Sequence, residues 1–500
     1  MLKVKKKQAV TKLLSYKFFY KTPPCGVFLL PFLLLRVTRY YVITRYNLTM
    51  KITVDLIIEV RWLLPIVPYN TLLQNHAIVI ASGVIVDICA TSSGRERYVA
   101  TEVVQLHDHV LTPGLVNLHT HAAMSLMRGV ADDIPLMPWL KNHIWPAEAQ
   151  LVSPAFVFDG TLLACAEMLA GGITTFNDMY FYPQATAEAS IQAGMRANLG
   201  LLVLEFPTKY ASDAEDYIDK GTKVRDQLKH EPLISFSFAP HAPYTVGDAT
   251  FTLINTLSEQ LNLSVHTHLH ETHAEIAQDE QAYGMRPLAR LAHLGLLNAS
   301  TTFAHCVHLN AVEMKLLAEH GCHIAHCPSS NLKLASGIAP IADCAKHGIN
   351  IGLGTDSAAS NNRLDLFAEM RLAALLAKGQ SGDATAISAH EALRMATLNG
   401  AKALGLDDKI GSIEIGKLAD LTAVKMCDIT MQPCFDVASH LVYVAGREQV
   451  SHVWVNGNLT YHKPNGSDGV YSNIEPQELS DIISKWQTKV AQFNIKESTE

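Results

Sequence analysis

The first region with a clear hydrophobic pattern runs from residue 51 to about residue 112. Short stretches there alternate apolar and polar positions and are separated by polar turns, as in ITVDLIIEVRWLLPIV, HAIVIASGVIVDICA and YVATEVVQLHDHVLTPG. Alternation with a period of two is typical of strands that bury one face. The pattern therefore predicts β-sheet without helices over this region.

From residue 113 the pattern changes to an apolar strand, a loop and a long helical stretch, repeated along the chain. The strand candidates are GLVNLHTH, GITTFNDM, ANLGLLVL, LISFSFAPH, LSVHTHLHE, TTFAHCV, CHIAHCP and NIGLGTD. Helical stretches between or after them include SPAFVFDGTLLACAEMLAGG and RLDLFAEMRLAALLAKGQ. Eight strands alternating with helices predict an α/β fold, a (β/α)8 barrel of the TIM type.

After Gly400 the chain returns to short strand patterns, GSIEIGKLADLTAVKM and VSHVWVNGNLTYH, and then ends in one helical stretch. We expect these strands to join the N-terminal ones in a small composite β-sandwich beside the barrel. The predicted organisation is an N-terminal sandwich part at 50–112, the barrel at 113–401, a C-terminal sandwich part at 402–474 and a C-terminal helix at 475–500.

The first 49 residues differ in charge from the rest of the chain. They carry ten Lys or Arg and no Asp or Glu, so a net charge of −7 for the whole chain leaves −17 on the remaining residues. The apolar run CGVFLLPFLLLRV contains Pro31 and is about half the ~20 residues that a membrane-spanning helix needs. We predict a basic leader at 1–49 outside the fold, and an acidic body that binds neither nucleic acid nor membrane.

Composition narrows the class of protein. A hydrophobic content of 48% with 17% charged residues is typical of a well-buried globular enzyme rather than a disordered chain. The nine cysteines form no C-x-x-C pair, which favours reduced thiols in a cytoplasmic protein.

Polar residues that can bind a metal fall at the ends of the predicted strands. In TPGLVNLHTH, His119 and His121 project from the same strand face because alternate side chains point the same way. Barrel enzymes carry their functional groups at the C-terminal ends of strands. The further candidates at such ends are His241, His268, His305 and Asp356. Buried imidazoles and carboxylates are costly without partners, so we expect them to share one metal ion.

The donor types suit a particular kind of metal. Three neutral imidazoles and one carboxylate fit one divalent ion, Zn²⁺ or alternatively Fe²⁺, with an open position for water. Spacing alone leaves the fifth strand ambiguous. Its HTHLHETH segment offers His266, His268, His270 and His273.

The combined pattern HTH…HxxE…HC…GTD resembles the amidohydrolase superfamily. The stretches TPGLVNLHTHAAMSLMRGVADDIPLMPWL, APHAPYT, FAHCVHL and GTDSAASNN are similar to its 5-methylthioadenosine/S-adenosylhomocysteine deaminases, and the likeness covers roughly residues 50–460. The resemblance implies the metal ligands His119, His121, His268 and Asp356. Binuclear members place a carboxylated lysine at the end of strand 4, where LISFSFAPHAPYT has no lysine, so it implies a single metal.

The resemblance also implies hydrolytic deamination of an adenosine derivative with release of ammonia. The metal would generate hydroxide near neutral pH, and Glu271 would move a proton from it to a ring nitrogen of the substrate. His305 and Asp356 would orient the hydroxide, and Asp356 would pass a proton to the leaving amine.

The resemblance also implies which residues bind the nucleoside substrate. Glu148 matches the acid that binds the ribose hydroxyls in this family, where a carboxylate is a bidentate acceptor. His241 matches a second substrate contact. Trp139, Met124 and Met127 are candidates for an apolar pocket around the thioether. The family likeness further implies a homo-oligomer.

Two other functions compete with this one. Guanine or other nucleobase deaminases and triazine-type hydrolases share the ligand set, but a free base needs no diol acceptor, so Glu148 favours a nucleoside. A catalytically inactive scaffold homologue would have lost Glu271 or a ligand, and none is lost. The sequence leaves open the identity of the metal and the ranking of methylthioadenosine, adenosylhomocysteine and adenosine.

Overall fold

The computed structural model describes residues 51–464 and 468–497. The leader predicted at 1–49 lies outside the described residues. The first four strands are β1 (Ile52–Leu63), β2 (Leu73–Ala81), β3 (Val84–Ala90) and β4 (Tyr98–Pro113). The next eight are β5 (Leu115–Thr120), β6 (Ile173–Tyr180), β7 (Arg196–Val203), β8 (Ile234–Pro240), β9 (Ser264–Leu269), β10 (Thr301–His305), β11 (His323–His326) and β12 (Asn350–Leu353). The last four are β13 (Leu421–Lys425), β14 (Val450–Val455), β15 (Asn458–His462) and β16 (Val470–Tyr471).

Helices fill the connections between strands. Those up to the middle of the chain are α1 (Thr91–Arg97), α2 (Leu136–Trp139), α3 (Trp145–Leu151), α4 (Pro154–Ala170), α5 (Pro183–Ala193), α6 (Ala214–Leu228), α7 (Asp248–Leu261) and α8 (His273–Tyr283). The later ones are α9 (Pro287–His293), α10 (Ala311–His320), α11 (Pro328–Lys333), α12 (Ile341–Lys346), α13 (Leu366–Ser381), α14 (Ala389–Met395), α15 (Leu398–Ala403), α16 (Val437–Tyr443) and α17 (Pro476–Glu497).

The strands β5 to β12 form the predicted barrel. They are hydrogen-bonded in chain order, and every neighbouring pair is parallel. The last strand returns to the first, since the Asp356 amide just beyond β12 donates to the His119 carbonyl of β5 at 2.9 Å. Every residue of β6 and β7 is buried, as expected for parallel strands covered by helices on one side and packed inside on the other. The predicted eight-strand barrel is confirmed.

Local sequence explains where the barrel helices begin. Before α4, the Ser153 hydroxyl accepts a hydrogen bond from the Phe156 amide, and Pro154 occupies the first helical position. Before α13, the Asp365 carboxylate accepts from two amides of the first turn. These caps satisfy amide groups that have no partner inside the helix, so they fix where each helix leaves the strand-end loops.

Strands from the two ends of the chain join in a second sheet, as predicted for the added domain. Its order is β16-β15-β14-β13-β4-β1-β2-β3, and the two parts meet where β13 pairs antiparallel with β4. One face buries a hydrophobic cluster that includes Ile58, Ile78, Leu111, Leu421 and Trp454. The residue boundaries given above for the domains remain predictions.

The prediction of a helix-free N-terminal region is wrong, because α1 lies between β3 and β4. The strands β1 and β4 pair in parallel, and a parallel pair needs a crossover connection rather than a tight hairpin. The polar segment TSSGRER forms the helical part of that crossover, and Arg95 from it donates two hydrogen bonds to the buried Glu59 of β1.

Among the described residues, no single helix is long and apolar enough to cross a membrane. One pair of segments, Leu136–Leu151 and Pro154–Ala170, reaches the required length and composition only when joined, and it is bent by 112°.

Candidate active site

The strand ends of the barrel bring the predicted site residues together. His119 lies in β5, His268 in β9 and His305 at the end of β10. The other candidates follow strand ends in loops or come from α3. A single cavity of about 340 Å³ is lined by His121, Glu148, His241, His268, Glu271, His305 and Asp356, while His119 is fully buried. Its volume lies within the ~300–1,000 Å³ usual for small-molecule sites.

The histidines and the aspartate form two overlapping clusters. Ligand atoms of His119, His268 and His305 lie within 4.8 Å of one another, and so do those of His119, His121 and Asp356. The Nε2 atoms of His119 and His121 lie 3.5 and 3.3 Å from Asp356 Oδ1. The buried His119 Nε2 has no hydrogen-bond partner, although a buried polar atom normally has one.

Hydrogen bonds on the far side of the rings fix these histidines. His121 Nδ1 donates to the Met179 carbonyl at 2.5 Å, and His268 Nδ1 donates to the His241 carbonyl at 2.6 Å. His119 Nδ1 is paired with His266 Nε2 at 3.0 Å. Because each Nδ1 is engaged, each Nε2 faces the cluster, which is the arrangement found around histidine ligands of metals.

The electrostatics of the cluster suit a cation. Burial lowers the pKa of His119 to about 4 and that of His268 well below its usual value, so both rings are neutral at pH 7. Burial opposes ionisation of Asp356, but the adjacent imidazoles of His119 and His121 hold its pKa well below the usual range. The Ser330 and Ser360 hydroxyls also donate to its Oδ2, at 2.6 and 2.8 Å. The neutral rings of His119 and His268, one carboxylate and an unpaired buried nitrogen fit a divalent metal.

Glu271 follows β9 and stands beside the cluster. It is buried, and burial raises its pKa. Its Oε2 lies 3.8 Å from His305 Nε2, and its Oε1 accepts a hydrogen bond from the Ser336 hydroxyl at 3.4 Å. A carboxyl group that faces the cavity and ionises nearer to neutral pH can both accept and release a proton.

His305 and His241 line the same cavity from the ends of β10 and β8, on either side of β9. His305 Nδ1 is hydrogen-bonded to Asn331 Oδ1 at 2.8 Å, and its backbone φ is +72°. Non-glycine residues rarely adopt positive φ, and such conformations are common at functional sites. His241 Nδ1 pairs with Thr245 Oγ1 at 3.0 Å, and burial lowers the pKa of His241 to about 3. His241 therefore presents a neutral ring.

Glu148 lines the cavity from α3. Burial raises its pKa to about 7, while a hydrogen bond from the Tyr180 hydroxyl to its Oε1, at 2.8 Å, acts in the opposite direction. Apolar side chains line the same cavity. They include Trp139, Leu140, Ile144, Leu204 and Phe206.

The expectation for the methionines is half right. Met124 lines the cavity with Trp139, but Met127 is fully buried in the hydrophobic core and does not line it. The two methionines lie in one short 3-10 helix, Ala122–Met127, with Met127 one turn further along the helix than Met124.

The structure separates the four histidines of HTHLHETH. Only His268 among them lines the cavity. His266 Nε2 is hydrogen-bonded to His119 Nδ1 at 3.0 Å. His270 Nε2 accepts a hydrogen bond from the Leu288 amide at 3.3 Å. The ring of His273 packs against that of His308, with centroids 3.8 Å apart and ring planes tilted by 33°. The ambiguity left by spacing is thereby reduced to one histidine in the cavity.

Several supporting residues escaped the sequence analysis. Tyr180 lies at the end of β6 and Ser330 lies just after β11. Their position at strand ends was the signal by which both could have been identified. Ser336 and Ser360 contact the candidate residues only through the folded loops. No local pattern in the sequence marks these two.

The family comparison agrees with the fold. The amidohydrolase family pattern matches residues 110–460, which is more than half of the chain. Atrazine chlorohydrolase from Arthrobacter aurescens, a structure complexed with zinc, superposes with a TM-score of 0.78 at 23% identity and covers 87% of this chain and 99% of that one. This likeness shows the fold alone. The chain belongs to the amidohydrolase family.

Two relatives narrow the position within that family. A 5-methylthioadenosine/S-adenosylhomocysteine deaminase from Teredinibacter turnerae is 49% identical over 446 residues, which cover 89% of this chain and 99% of the relative. An adenosine deaminase from Xanthomonas campestris, solved with bound zinc, is 45% identical with a TM-score of 0.86 and covers 88% of this chain and 100% of that one. Within the amidohydrolases, the chain groups with the 5-methylthioadenosine/S-adenosylhomocysteine deaminases, as the sequence resemblance predicted.

Proposed function

We propose that this protein is a metal-dependent hydrolase that deaminates adenosine derivatives, namely 5′-methylthioadenosine and S-adenosyl-L-homocysteine. One observation carries the proposal. A single cavity joins the histidine and aspartate cluster, the carboxyl of Glu271 and the carboxyl of Glu148. The named activity of the Teredinibacter turnerae relative, at 49% identity over most of the chain, supports the same reaction.

We assign His119, His121, His268 and Asp356 as the residues that hold the metal. The unpaired His119 Nε2 and the short distances from Asp356 to His119 and His121 support this set. The metal is proposed to be one Zn²⁺ per subunit, with Fe²⁺ as the alternative, because zinc is bound in the Xanthomonas campestris structure. When bound, such an ion lowers the pKa of water towards ~7 and so supplies hydroxide at neutral pH.

The proton transfers fall to residues of this chain. Glu271 accepts a proton from the attacking water and delivers it to the ring nitrogen beside C6, which makes that carbon electrophilic. His305, 3.8 Å from Glu271, orients the water with Asp356. As the C6–N bond breaks, Asp356 takes the remaining proton of the hydroxyl added at C6 and passes it to the leaving amine. The products are ammonia and a carbonyl at C6.

We assign recognition of the nucleoside to Glu148, His241 and the apolar side chains that line the same cavity. Glu148 accepts hydrogen bonds from both ribose hydroxyls, and Tyr180 holds one oxygen of its carboxylate in place. His241 contacts the substrate from the β8 side with a neutral ring. The thioether of the substrate is surrounded by the apolar side chains of Trp139, Leu140 and Phe206, which line the cavity.

The competing functions fit less of the site. A nucleobase deaminase or triazine-type hydrolase does not need Glu148, a half-buried acid held by a buried tyrosine, because its substrate has no diol. A catalytically inactive scaffold does not need Glu271 at the cavity wall.

Location and assembly complete the proposal. We place the protein in the cytoplasm as a homo-oligomer. The eight cysteines among the described residues form no disulfide, which agrees with a reducing compartment. The homo-oligomer rests on the family resemblance.

A spectrophotometric panel tests this function. Purified protein of measured metal content is offered methylthioadenosine, adenosylhomocysteine, adenosine, adenine and guanine, and loss of the ring amino group is followed. We expect turnover of the nucleosides and little or none of the free bases. Turnover of a free base alone would replace the proposal with the nucleobase alternative.

A further inference from the structure

The loop that carries Glu271 is held by a second buried acid, Glu275, in the first turn of α8. Glu275 Oε1 accepts the His270 amide and Oε2 accepts the Glu271 amide, both at 2.9 Å. Its own amide donates to the Thr272 hydroxyl at 3.3 Å. One side chain, 5% exposed, therefore binds the two successive peptide N–H groups that flank the His270 Cα.

The backbone at this point needs such support. His270 has a φ of +52°, a left-handed conformation that non-glycine residues seldom adopt. Its carbonyl accepts from the His308 amide at 3.1 Å, and its Nε2 accepts from the Leu288 amide at 3.3 Å. A conformation of this kind persists only where surrounding contacts impose it, and Glu275 supplies two of the contacts at the bend.

Glu275 does not line the cavity, so it cannot touch the substrate directly. A proton donor and acceptor must approach within ~2.6–3.2 Å, and misplacement by about 1 Å can cost roughly 100-fold in rate. Any rotation of the 270–271 peptide moves the Glu271 carboxylate relative to His305, which lies 3.8 Å from it.

We propose that Glu275 is a positioning residue for catalysis: it fixes the Glu271 carboxylate by holding the two successive backbone amides of His270 and Glu271. The inference rests on the proposed function, since it assigns proton transfer to Glu271. The competing role is structural only, in which Glu275 stabilises the start of α8 and has no effect specific to turnover.

The variant Glu275→Gln separates the two roles. An amide keeps the size of the side chain, but its NH₂ group cannot accept a hydrogen bond, so one of the two backbone amides loses its partner. With methylthioadenosine as substrate, we expect kcat to fall by about 10- to 100-fold, with KM changed by less than about 3-fold and metal content unchanged.

A double-variant cycle makes the test specific. In a Glu271→Gln background, Glu275→Gln should lower the residual kcat by less than about 3-fold, because the group that it positions is already disabled. The matched control is Asp365→Asn. Asp365, 2% exposed, also accepts two backbone amides at the start of α13, those of Phe367 and Ala368 at 3.0 and 3.2 Å. Both donate to Oδ1, while Oδ2 accepts from the Arg363 guanidinium at 2.5 Å and would lose that partner in the Asn variant. That variant should lower the thermal midpoint with kcat within about 3-fold of the wild type.

Three results would overturn the proposal: an unchanged kcat in Glu275→Gln, a full extra loss in the Glu271→Gln background, or a loss that follows metal content. If Glu275→Gln does not yield folded protein, Glu275→Asp is measured with the same expectation, since it is too short to reach both amides. A wild-type protein that deaminates none of the panel would instead contradict the proposed function.

Discussion

At the scale of single side chains, the candidate site is held by hydrogen bonds to atoms that face away from the cavity. Carbonyls of Met179 and His241 fix two of the histidine rings, and Ser330 and Ser360 fix the aspartate. Each candidate ligand atom is thereby aimed before a metal arrives, and the cost of orientation is met during folding.

The first prediction concerns the metal. Replacing His119, His121 or His268 by Ala should remove tight metal retention and activity together, because each leaves a three-donor set. His270→Ala should keep the metal, since His270 lies outside the cavity and bonds the Leu288 amide. Metal content of the purified variants by atomic emission, with turnover of methylthioadenosine, checks this. Equal metal loss from His270→Ala would mean that the fifth-strand ligand is misassigned.

The second prediction isolates proton transfer. Glu271→Gln keeps the shape of the side chain and all four proposed ligands, but an amide cannot carry the proton. We expect turnover to fall by a factor of about 10² to 10⁴ with metal content unchanged. Single-turnover kinetics on metal-loaded protein provide the measurement, and a fall of less than about 10-fold would remove Glu271 from the proposed mechanism.

The third prediction isolates ribose recognition. Glu148→Gln weakens two charge-assisted hydrogen bonds. The activation free energy derived from kcat/KM for methylthioadenosine should therefore rise by about 1.5–3 kcal/mol. Tyr180→Phe removes only the hydroxyl that holds Glu148, and should cost about 0.5–1.5 kcal/mol.

Free adenine is the control substrate for both variants. It has no ribose, so any slow turnover that it shows should be unchanged. A folding defect would depress both substrates together. Methylthioadenosine deamination that survived Glu148→Gln intact would leave a hydrolase but not one that reads the nucleoside.

At the scale of elements, the barrel and the sheet of the chain ends are joined by a buried ion pair. The Arg196 guanidinium at the start of β7 donates two hydrogen bonds to the Asp420 carboxylate, at 3.0 and 3.1 Å, just before β13. Both side chains are almost completely buried, so losing one partner would leave an uncompensated buried charge. The pair therefore fixes how the two sheets meet.

The fourth prediction concerns acid stability of the second sheet. Burial lowers the pKa of His109 in β4 to about 4, and that of His452 in β14, whose ring centroid lies 6.3 Å away, also to about 4. An unfolded histidine has a pKa of ~6.5. Between these values the unfolded chain binds protons that the folded chain does not, so stability is present above pH ~6.5 and is lost as the pH falls towards ~4.

A matched pair of variants on one strand measures this effect. His109→Gln should lose about 1–2 kcal/mol less stability than the wild type between pH 7.5 and pH 5, seen as a smaller drop in thermal midpoint. His107→Gln makes the same chemical change at an exposed position of β4 and should follow the wild type. Parallel curves for all three proteins would exclude His109 as a source of acid sensitivity.

At the scale of the whole molecule, one hydrophobic cluster runs from barrel strands through their helices to the C-terminal helix α17. It includes Phe176 of β6, Phe156 of α4 and Trp486 of α17, and the last two rings meet edge to face with centroids 5.0 Å apart. The Trp486 indole nitrogen also donates to Asp159 of α4 at 2.7 Å. The helix α17 is therefore part of the packed body.

The fifth prediction concerns the leader. Every residue assigned to the site and every strand pairing described lies after residue 50. Protein started at Met50 should therefore match the full chain in thermal midpoint, metal content and kcat, each within experimental error. An insoluble or inactive truncated protein would show that residues 1–49 contribute to the fold or to the site.

Local sequence patterns were enough to predict the barrel and the strand ends that carry the candidate site. Period-two alternation and repeated strand and helix stretches are local properties, because side-chain direction follows directly from backbone geometry. The barrel then requires that parallel strands end at one rim, so polar residues at the ends of separate strands had to meet. For that reason His119, His241, His305 and Asp356 could be grouped although up to 237 residues separate them in the chain.

Which of the adjacent histidines faces the cavity, and which side chains hold the site residues in place, became clear only from the packing of the folded chain. His266, His268 and His270 share a strand face by alternation, but β9 ends at Leu269 and the left-handed backbone at His270 turns that ring away. The helix α1 exists because β1 and β4 pair in parallel, a choice made by long-range packing. The bond from Tyr180 to Glu148 links two elements through the fold. Such contacts depend on how separate elements pack in space, and no period along the chain encodes that.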